Sequence, residues 1–581
     1  MSETIFTEKF LANIAEKVER KVQEFQIPGL AFTIVTAKET LAMEGFGFTD
    51  LSKEQAIDEN TLFSLQSTTK TLTAVTCLLA AQKNLLSIDD YVVKHYPELE
   101  VNSRFKQDDY KEIKIRHLLT HTSGLAMESR VGGVLSAKLG TWQEHIDNLN
   151  GSWLKFPVGT SFSYSNIGMD LVAYIIERIT NKKYSDFIQE VLGNLLDIKF
   201  NWNIDEILAQ KNSAKGHLTG RKAHKMDGLA FGCGGAFVSI KDQATFLKFL
   251  LNKGVYKNKR ILDEEYFEQL YTVKGQSGYG FGTEVHKRFG TTTYNHAGVG
   301  FGYGSEMYWL PEHNIGLAIL YNDEEKFGNV RGLALEILKE LLEAQGHSVE
   351  NEIFPAKDKP IISLKKEQLT ILEGRYNNFE TNFSIKLIDD KLFLMFGSKE
   401  IELQAHDNLI FSTNDGKGII FQLDEKNKPI GCSLYHPDLG ILSSVFTGTL
   451  IKESRAKDEW EKYVGIYYYN YYTSEYWLKT ITRDEKGNLL VDGAQLYPHK
   501  KLSNVFFLEH GAAVEFQDNG FLLDNQLHTL IANPVEFYKD KLENDPKSHA
   551  LLGFIVNQVR TLLKNLGRTE EEKELAKLFA K

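Results

Sequence analysis

The chain has 581 residues, 42% of them hydrophobic and 25% charged, with 78 Asp and Glu against 67 Lys and Arg. This is the balance of a globular protein long enough for two or three cores, and a net charge of −11 with no clustered Lys/Arg excludes a dedicated nucleic-acid binder. Cys77, Cys233 and Cys432 are too few and too scattered for a disulfide framework or a Cys-x-x-Cys metal site. The longest apolar run, around Leu72 to Ala81, falls well short of the roughly 18–20 residues of a membrane span, and the amino terminus lacks a basic-then-apolar leader; the expectation is a cytoplasmic protein with no membrane partner.

Phe10, Leu11, Ile14, Val18 and Phe25 recur near the helical period, so an amphipathic helix opens the chain and ends at Ile27-Pro28-Gly29. Leu30–Thr36 and Thr40–Phe48 read as two strands joined by a polar turn. Helical patterns fill the middle, among them a helix over Met169–Ile179. Strand signals return at Tyr303–Leu310 and Ile315–Tyr321, and Val330–Ala344 reads as a closing helix. Strands at both ends with helices between predict one antiparallel sheet assembled from distant parts of the chain and flanked by helices, an α+β architecture.

A polar stretch with Pro355 and Pro360 follows and reads as a linker. Beyond it a weak internal repeat emerges. Leu-Glu-Gly-Arg-Tyr at 372 is echoed by Tyr-Val-Gly-Ile-Tyr at 463, the strand at Lys391 by that at Asn488, and the stretch from Asn408 by the stretch from Asn504. Two related all-β modules of about 80–95 residues, each a small barrel or sandwich, account for it. The tyrosine run from Tyr467 reads as sheet or interface surface. The last segment, from Ala550, is helical.

The chemistry begins in Phe63-Ser-Leu-Gln-Ser-Thr-Thr-Lys70, at the mouth of the most apolar segment. Ser67 and Lys70 stand at i and i+3 and share a helix face, with the hydroxyl near the free N–H groups of a helix start. An ammonium so placed lowers the cost of removing the serine proton. Taken alone, a helix cap with a snorkelling lysine is the plainer reading, since Ser-x-x-Lys recurs at Ser103, Ser152, Ser363 and Ser454. Two further elements add to it: Tyr164-Ser165-Asn166 in a polar loop before a helix, and His296-Ala297-Gly298 opening a glycine-rich strand.

In these three motifs and their order the sequence resembles the penicillin-recognising serine hydrolases, in their class C β-lactamase-like branch of D-aminopeptidases, D-alanyl-D-alanine carboxypeptidases and esterases. Ile27-Pro-Gly-Leu-Ala-Phe, His117-Leu-Leu-Thr-His-Thr-Ser-Gly-Leu and Gly232-Cys-Gly-Gly-Ala support the resemblance, which covers about residues 8–345. It implies a β-lactamase/transpeptidase-like domain over 1–346; the linker, repeat and helical pattern read above divide the rest into a linker over 347–366, two small barrel-like (lipocalin-like) domains over 367–453 and 454–542, and a helical segment over 543–581. It also implies that Ser67 is acylated, that Lys70 and Tyr164 handle its proton, and that Asn166 binds the substrate and orients Lys70. His296 and Gly298 line the substrate, and the N–H groups of Ser67 and Val299 form the oxyanion hole. The ammonium of Lys70 is expected to stabilise the Tyr164 phenolate. Lysine is usual in relatives that bind penicillins where this chain has His296; a mostly neutral imidazole favours ester or amide substrates over β-lactams. No metal or cofactor is required, and the helical spacing of His117 and His121 lacks a third zinc ligand. The partners implied are a small-molecule or short-peptide substrate, with homo-oligomerisation through the β-modules left open. The alternatives are a true β-lactamase or carboxypeptidase, and a non-catalytic binding protein that kept the fold.

Overall fold

The computed structural model describes residues 6–579 apart from 133–139, 219–220, 223–230, 274–277, 350–353, 355–358, 378–381, 397–398, 415–416, 437–439, 449–456, 470–476, 545–555, 558 and 565. Parts of the expected linker, of the tyrosine run and of the terminal helical segment therefore lie outside the described residues.

The central sheet is antiparallel and assembled from the two ends of the first 345 residues. In order its strands are Glu284–Arg288, Thr291–Gly300, Tyr303–Leu310, Ile315–Tyr321, Gly29–Val35 and Thr40–Gly47. Leu30 pairs with Tyr321 and Ile34 with Leu317, so the amino-terminal hairpin is zipped to a strand nearly 290 positions away. Side chains alternate across it as the strand period demands. Leu30, Phe32 and Ile34 pack under the helices Glu8–Glu24 and Phe327–Ala344, whereas Ala31 and Val35 face the larger core.

That larger core surrounds the helix Thr69–Gln82, in which every residue from Thr69 to Ala81 is buried. A helix buried all round must satisfy its polar side chains internally. Thr71 donates to the Gly282 carbonyl at 2.7 Å, Thr73 to the Gly232 carbonyl at 2.7 Å, and Thr76 back to Leu72 at 2.8 Å. The threonines thus tie the serine-bearing helix to two glycine turns beside the site.

Two sequence expectations shift. The helix expected from Met169 runs from Asn166 to Thr180, because the Ser165 hydroxyl caps it by accepting from the Gly168 N–H at 3.1 Å. The strand expected to open at His296 already begins at Thr291. Its buried face carries Thr291, Thr293 and Asn295, which inverts the hydropathy signal.

The two β-modules have the same plan. Among the described residues, nine strands between Gly374 and Gly448 form a meander whose first strand pairs with its last, Tyr376 with Phe446. Nine strands between Gly465 and Leu530 repeat every pairing, with Tyr467 against Leu530 closing the barrel nearly fully. The repeat extends to one hydrogen bond: Tyr376 donates to the Leu372 carbonyl at 2.9 Å, and Tyr467 to the Tyr463 carbonyl at 2.8 Å. The first module also continues the central sheet, since Ile441 pairs with Lys287 on its edge strand.

Candidate active site

Ser67 sits in a single 3₁₀ turn, Gln66–Thr68, that leads into the buried helix. Gln66 just before it has φ +49°, a left-handed conformation that a side chain adopts only when its surroundings enforce it. Its amide side chain donates to the Ser64 hydroxyl at 2.8 Å. The bend leaves Ser67 partly exposed where its neighbours are buried.

Lys70 is fully buried, has no ion pair with a carboxylate among the described residues, and its three N–H donors find three acceptors. They are the Ser67 hydroxyl at 3.0 Å, the Cys233 carbonyl at 2.8 Å and the Tyr164 oxygen, with the Tyr164 ring centroid 4.7 Å from Nζ. Burial opposes the ammonium, but attraction to Tyr164 and the Cys233 group outweighs it, so Lys70 stays above the ordinary lysine range. Tyr164 also hydrogen-bonds Ser67. Its phenol is held above its usual value, burial being the main cause and Lys70 the main opposing one. Lys70 favours the phenolate, but burial outweighs it, so that at rest the pair is an ammonium beside a neutral phenol.

Asn166 does not orient Lys70 through any hydrogen bond seen here. Its amide nitrogen donates to Glu128, whose carboxyl burial pushes up to about 7, while its oxygen is buried without a partner. The Cys233 carbonyl instead aims the ammonium. Asp170, one turn beyond Asn166 on its helix, fixes that carbonyl by accepting from the Gly232 and Cys233 N–H groups at 2.8 and 3.0 Å.

His296 is 1% exposed and offers little surface to a substrate. Its Nδ1 donates to the Ala297 carbonyl and its Nε2 accepts from the Tyr279 hydroxyl, both at 2.8 Å. Burial brings the imidazole down to about 4, so it is neutral. Gly298 is where the strand lies over the serine turn: a Cβ there would stand 2.2 Å from the Leu65 carbonyl oxygen and 2.8 Å from the Ser67 nitrogen. Val299 follows at 43% exposure.

Sequence reasoning missed four of these contributors: Cys233 through its backbone, Asp170, Glu128 and Tyr279. The first lay inside a stretch already singled out; the others have no local signal. His121, weighed there only as a metal ligand, packs between the rings of Tyr164 and Tyr279 at 4.4 and 4.8 Å and accepts from the Ser165 N–H. No group of side chains suited to a metal ion, and no helix long and apolar enough to cross a membrane, occurs among the described residues.

The sequence profile of the family described as Beta-lactamase matches residues 14–341. Protein flp of Staphylococcus aureus (strain MW2) is 25% identical over 318 residues, 52% of this chain and 61% of that protein. Penicillin-binding protein 4* of Bacillus subtilis (strain 168) is 31% identical over 163 residues, 27% of this chain and 34% of that protein. The chain thus spans less than two thirds of the length of these curated relatives. Among solved structures, that of SurE with D-Leu superposes with TM-score 0.54 at 20% identity, covering 74% of this chain and 99% of that one. An octameric penicillin-binding protein homologue from Pyrococcus abyssi gives 0.50 at 21% identity, covering 75% and 99%. At these identities the structural likeness speaks for the fold alone.

Proposed function

The chain belongs to the β-lactamase family, and from that premise we propose that it is a serine hydrolase forming a covalent acyl-enzyme on Ser67 from ester or amide substrates, of esterase or D-amino-acid amidase or peptidase type. The observation that carries the reading is the closed hydrogen-bond triangle of Ser67, Lys70 and Tyr164, with the Ser67 N–H beneath Gly298.

In acylation the Ser67 oxygen attacks the substrate carbonyl carbon and its proton passes to the Tyr164–Lys70 pair. The carbonyl oxygen gains charge facing the N–H groups of Ser67 and Val299. Collapse breaks the bond to the leaving group, which takes the proton; water then attacks the new ester by the same route and restores Ser67. Asn166 offers its unpaired oxygen to a substrate N–H. The preference for esters and amides over β-lactams rests on His296, which is neutral and already engaged, so no fixed charge at that position draws a ligand carboxylate.

Because the pair must shed one proton before it can accept another, kcat/KM is expected to rise with pH through the neutral and mildly alkaline range. A profile that falls over that range would refute this proton route. The direct test is fluorophosphonate labelling with turnover of activated esters, D-amino-acid amides and a chromogenic cephalosporin. Wild type is expected to label and to prefer the first two; Ser67→Ala is expected to lose both labelling and turnover, by at least about a thousandfold. Full turnover by Ser67→Ala, or no labelling of wild type, defeats the proposal, and cephalosporin as the best substrate transfers the chain to the β-lactamases.

A further inference from the structure

A further cavity lies outside the Ser67 turn. It has a volume of about 490 Å³ and lies where the catalytic domain meets both β-modules, with Arg104 and Lys155 from the first, Arg375 from the second and Glu509 from the third. A cavity of that size is in the range that holds small organic ligands. None of Ser67, Lys70 and Tyr164 lines it.

Its electrostatics are unusual for an interface. Lys155 is neutralised by Asp524 at 2.8 Å. Among the described residues Arg104 has no ion pair: its guanidinium lies 4.1 Å from the Phe507 ring centroid and 5.0 Å from that of Phe105. Its charged influence is a second cation, Arg375, and burial together with that repulsion pulls it down to about 10. Arg375 donates to the Glu509 backbone carbonyl, but its Nε is buried without a partner among the described residues; burial pulls it below the ordinary arginine range, against the attraction of Glu509 and Tyr497. His510, also in the wall, is brought down to about 4, first by burial and then by Lys155, and adds no charge. Two mutually repelling guanidinium groups thus share a cavity with one carboxylate. Desolvated cations held together at such a cost call for an anion. Lys386 adds a further cation and Ser384, Gln495 and Tyr497 add polar groups, while Phe156, Met395 and Leu490 form an apolar part of the wall.

We propose that this three-way junction binds a small organic anion, its carboxylate or phosphate head held by Arg104 and Arg375 and its apolar body against Phe156, Met395 and Leu490. Planar guanidinium groups suit both heads. The cavity floor, Lys155–Ser161, runs directly into Tyr164, and Lys155 also donates to the Ser163 hydroxyl at 2.9 Å, so an occupant would touch the segment that carries the phenol.

The test is calorimetric titration of the full chain with phenylacetate and with inorganic phosphate. Phenylacetate is expected to bind once per chain and more tightly than phosphate. Arg104→Gln and Arg375→Gln are each expected to weaken it about tenfold or more, the size of one lost charge-assisted hydrogen bond, while Arg104→Lys loses less. Should a glutamine variant fail to fold, Met395→Glu, which brings a competing carboxylate into the cavity, is expected to abolish binding. Absence of binding by both probes, or unchanged affinity in all the variants, overturns the site. Phosphate binding as tightly as phenylacetate overturns its apolar half.

Discussion

Strand for strand, the modules 374–448 and 465–530 share one order and one closing pair, yet they meet the β-lactamase-like domain in different ways. The first joins it edge to edge, through the backbone pairing of Ile441 with Lys287. The second inserts a turn. Asp524 and Asn525, both in left-handed conformation, form the tip of its last hairpin. Asp524 pairs with Lys155 and accepts from the Met127 N–H at 3.3 Å; Asn525 donates to the carbonyls of Glu128 and Asn148. The Met127 carbonyl in turn accepts from the N–H groups of Asn166 and Ile167. A common barrel thus serves in one copy as an extension of a sheet and in the other as a brace under the Tyr-x-Asn segment. Two functions diverge through turns while the cores stay alike.

The largest effect expected from this difference is in the double substitution Asp524→Ala with Asn525→Ala. It leaves Lys155 buried without its carboxylate and removes the hydrogen bonds to the 127–128 backbone, which should cost about 2–4 kcal/mol of stability and about tenfold or more in kcat. The control is Asp424→Ala in the first module, an exposed turn carboxylate that accepts from the Lys426 and Lys428 N–H groups. It should cost at most about 0.5–1 kcal/mol and leave kcat unchanged. Equal kinetic effects in the two variants would erase the distinction.

Acid should reach both regions. His286 and His296 in the catalytic domain and His510 and His528 in the second module all sit near 4, burial being the main cause in each, against an ordinary 6.5. Between those values the unfolded chain binds protons that the native one refuses. The stability these four rings contribute is therefore full above about pH 6.5 and falls as the pH drops towards 4, offset in part by the raised carboxyls of Glu128 and Glu306, which favour the native state as the pH falls below about 7. Thermal melts across that window should show both regions losing stability, and a melt that is flat from pH 7 to 4 would contradict the burial of these rings.

The smallest effects test the likeness. Tyr376→Phe and Tyr467→Phe each remove the same buried hydrogen bond and should cost about 1 kcal/mol alike, with no change in turnover. Unequal costs would show that the copies no longer use this bond equivalently.

What the sequence made legible follows its periodicities. The central hairpin was readable because Leu30, Phe32 and Ile34 alternate with smaller residues, and the repeat because Tyr376 and Tyr467 keep a common local bond. The strand through His296 was read short because its buried positions are Thr291, Thr293 and Asn295, whose burial depends on partners elsewhere in the chain. The helix after Tyr164 was read short because its start is set by the Ser165 cap rather than by apolar spacing. Ser67, Lys70 and Tyr164 were found through motif order. Glu128, Asp170 and the Asp524–Asn525 tip act over separations of 38, 63 and nearly 400 positions, and no local pattern encodes such contacts.

Position 298 sets apart what this chain can alter from what it cannot. A methyl group there would strike main-chain atoms on which the nucleophile turn depends, so that spot is closed to variation. The very next side chain, Val299, looks out to solvent. A lineage could therefore retune which molecules are welcomed by changing one outward-facing residue, while the bond-making apparatus a single step back stays frozen.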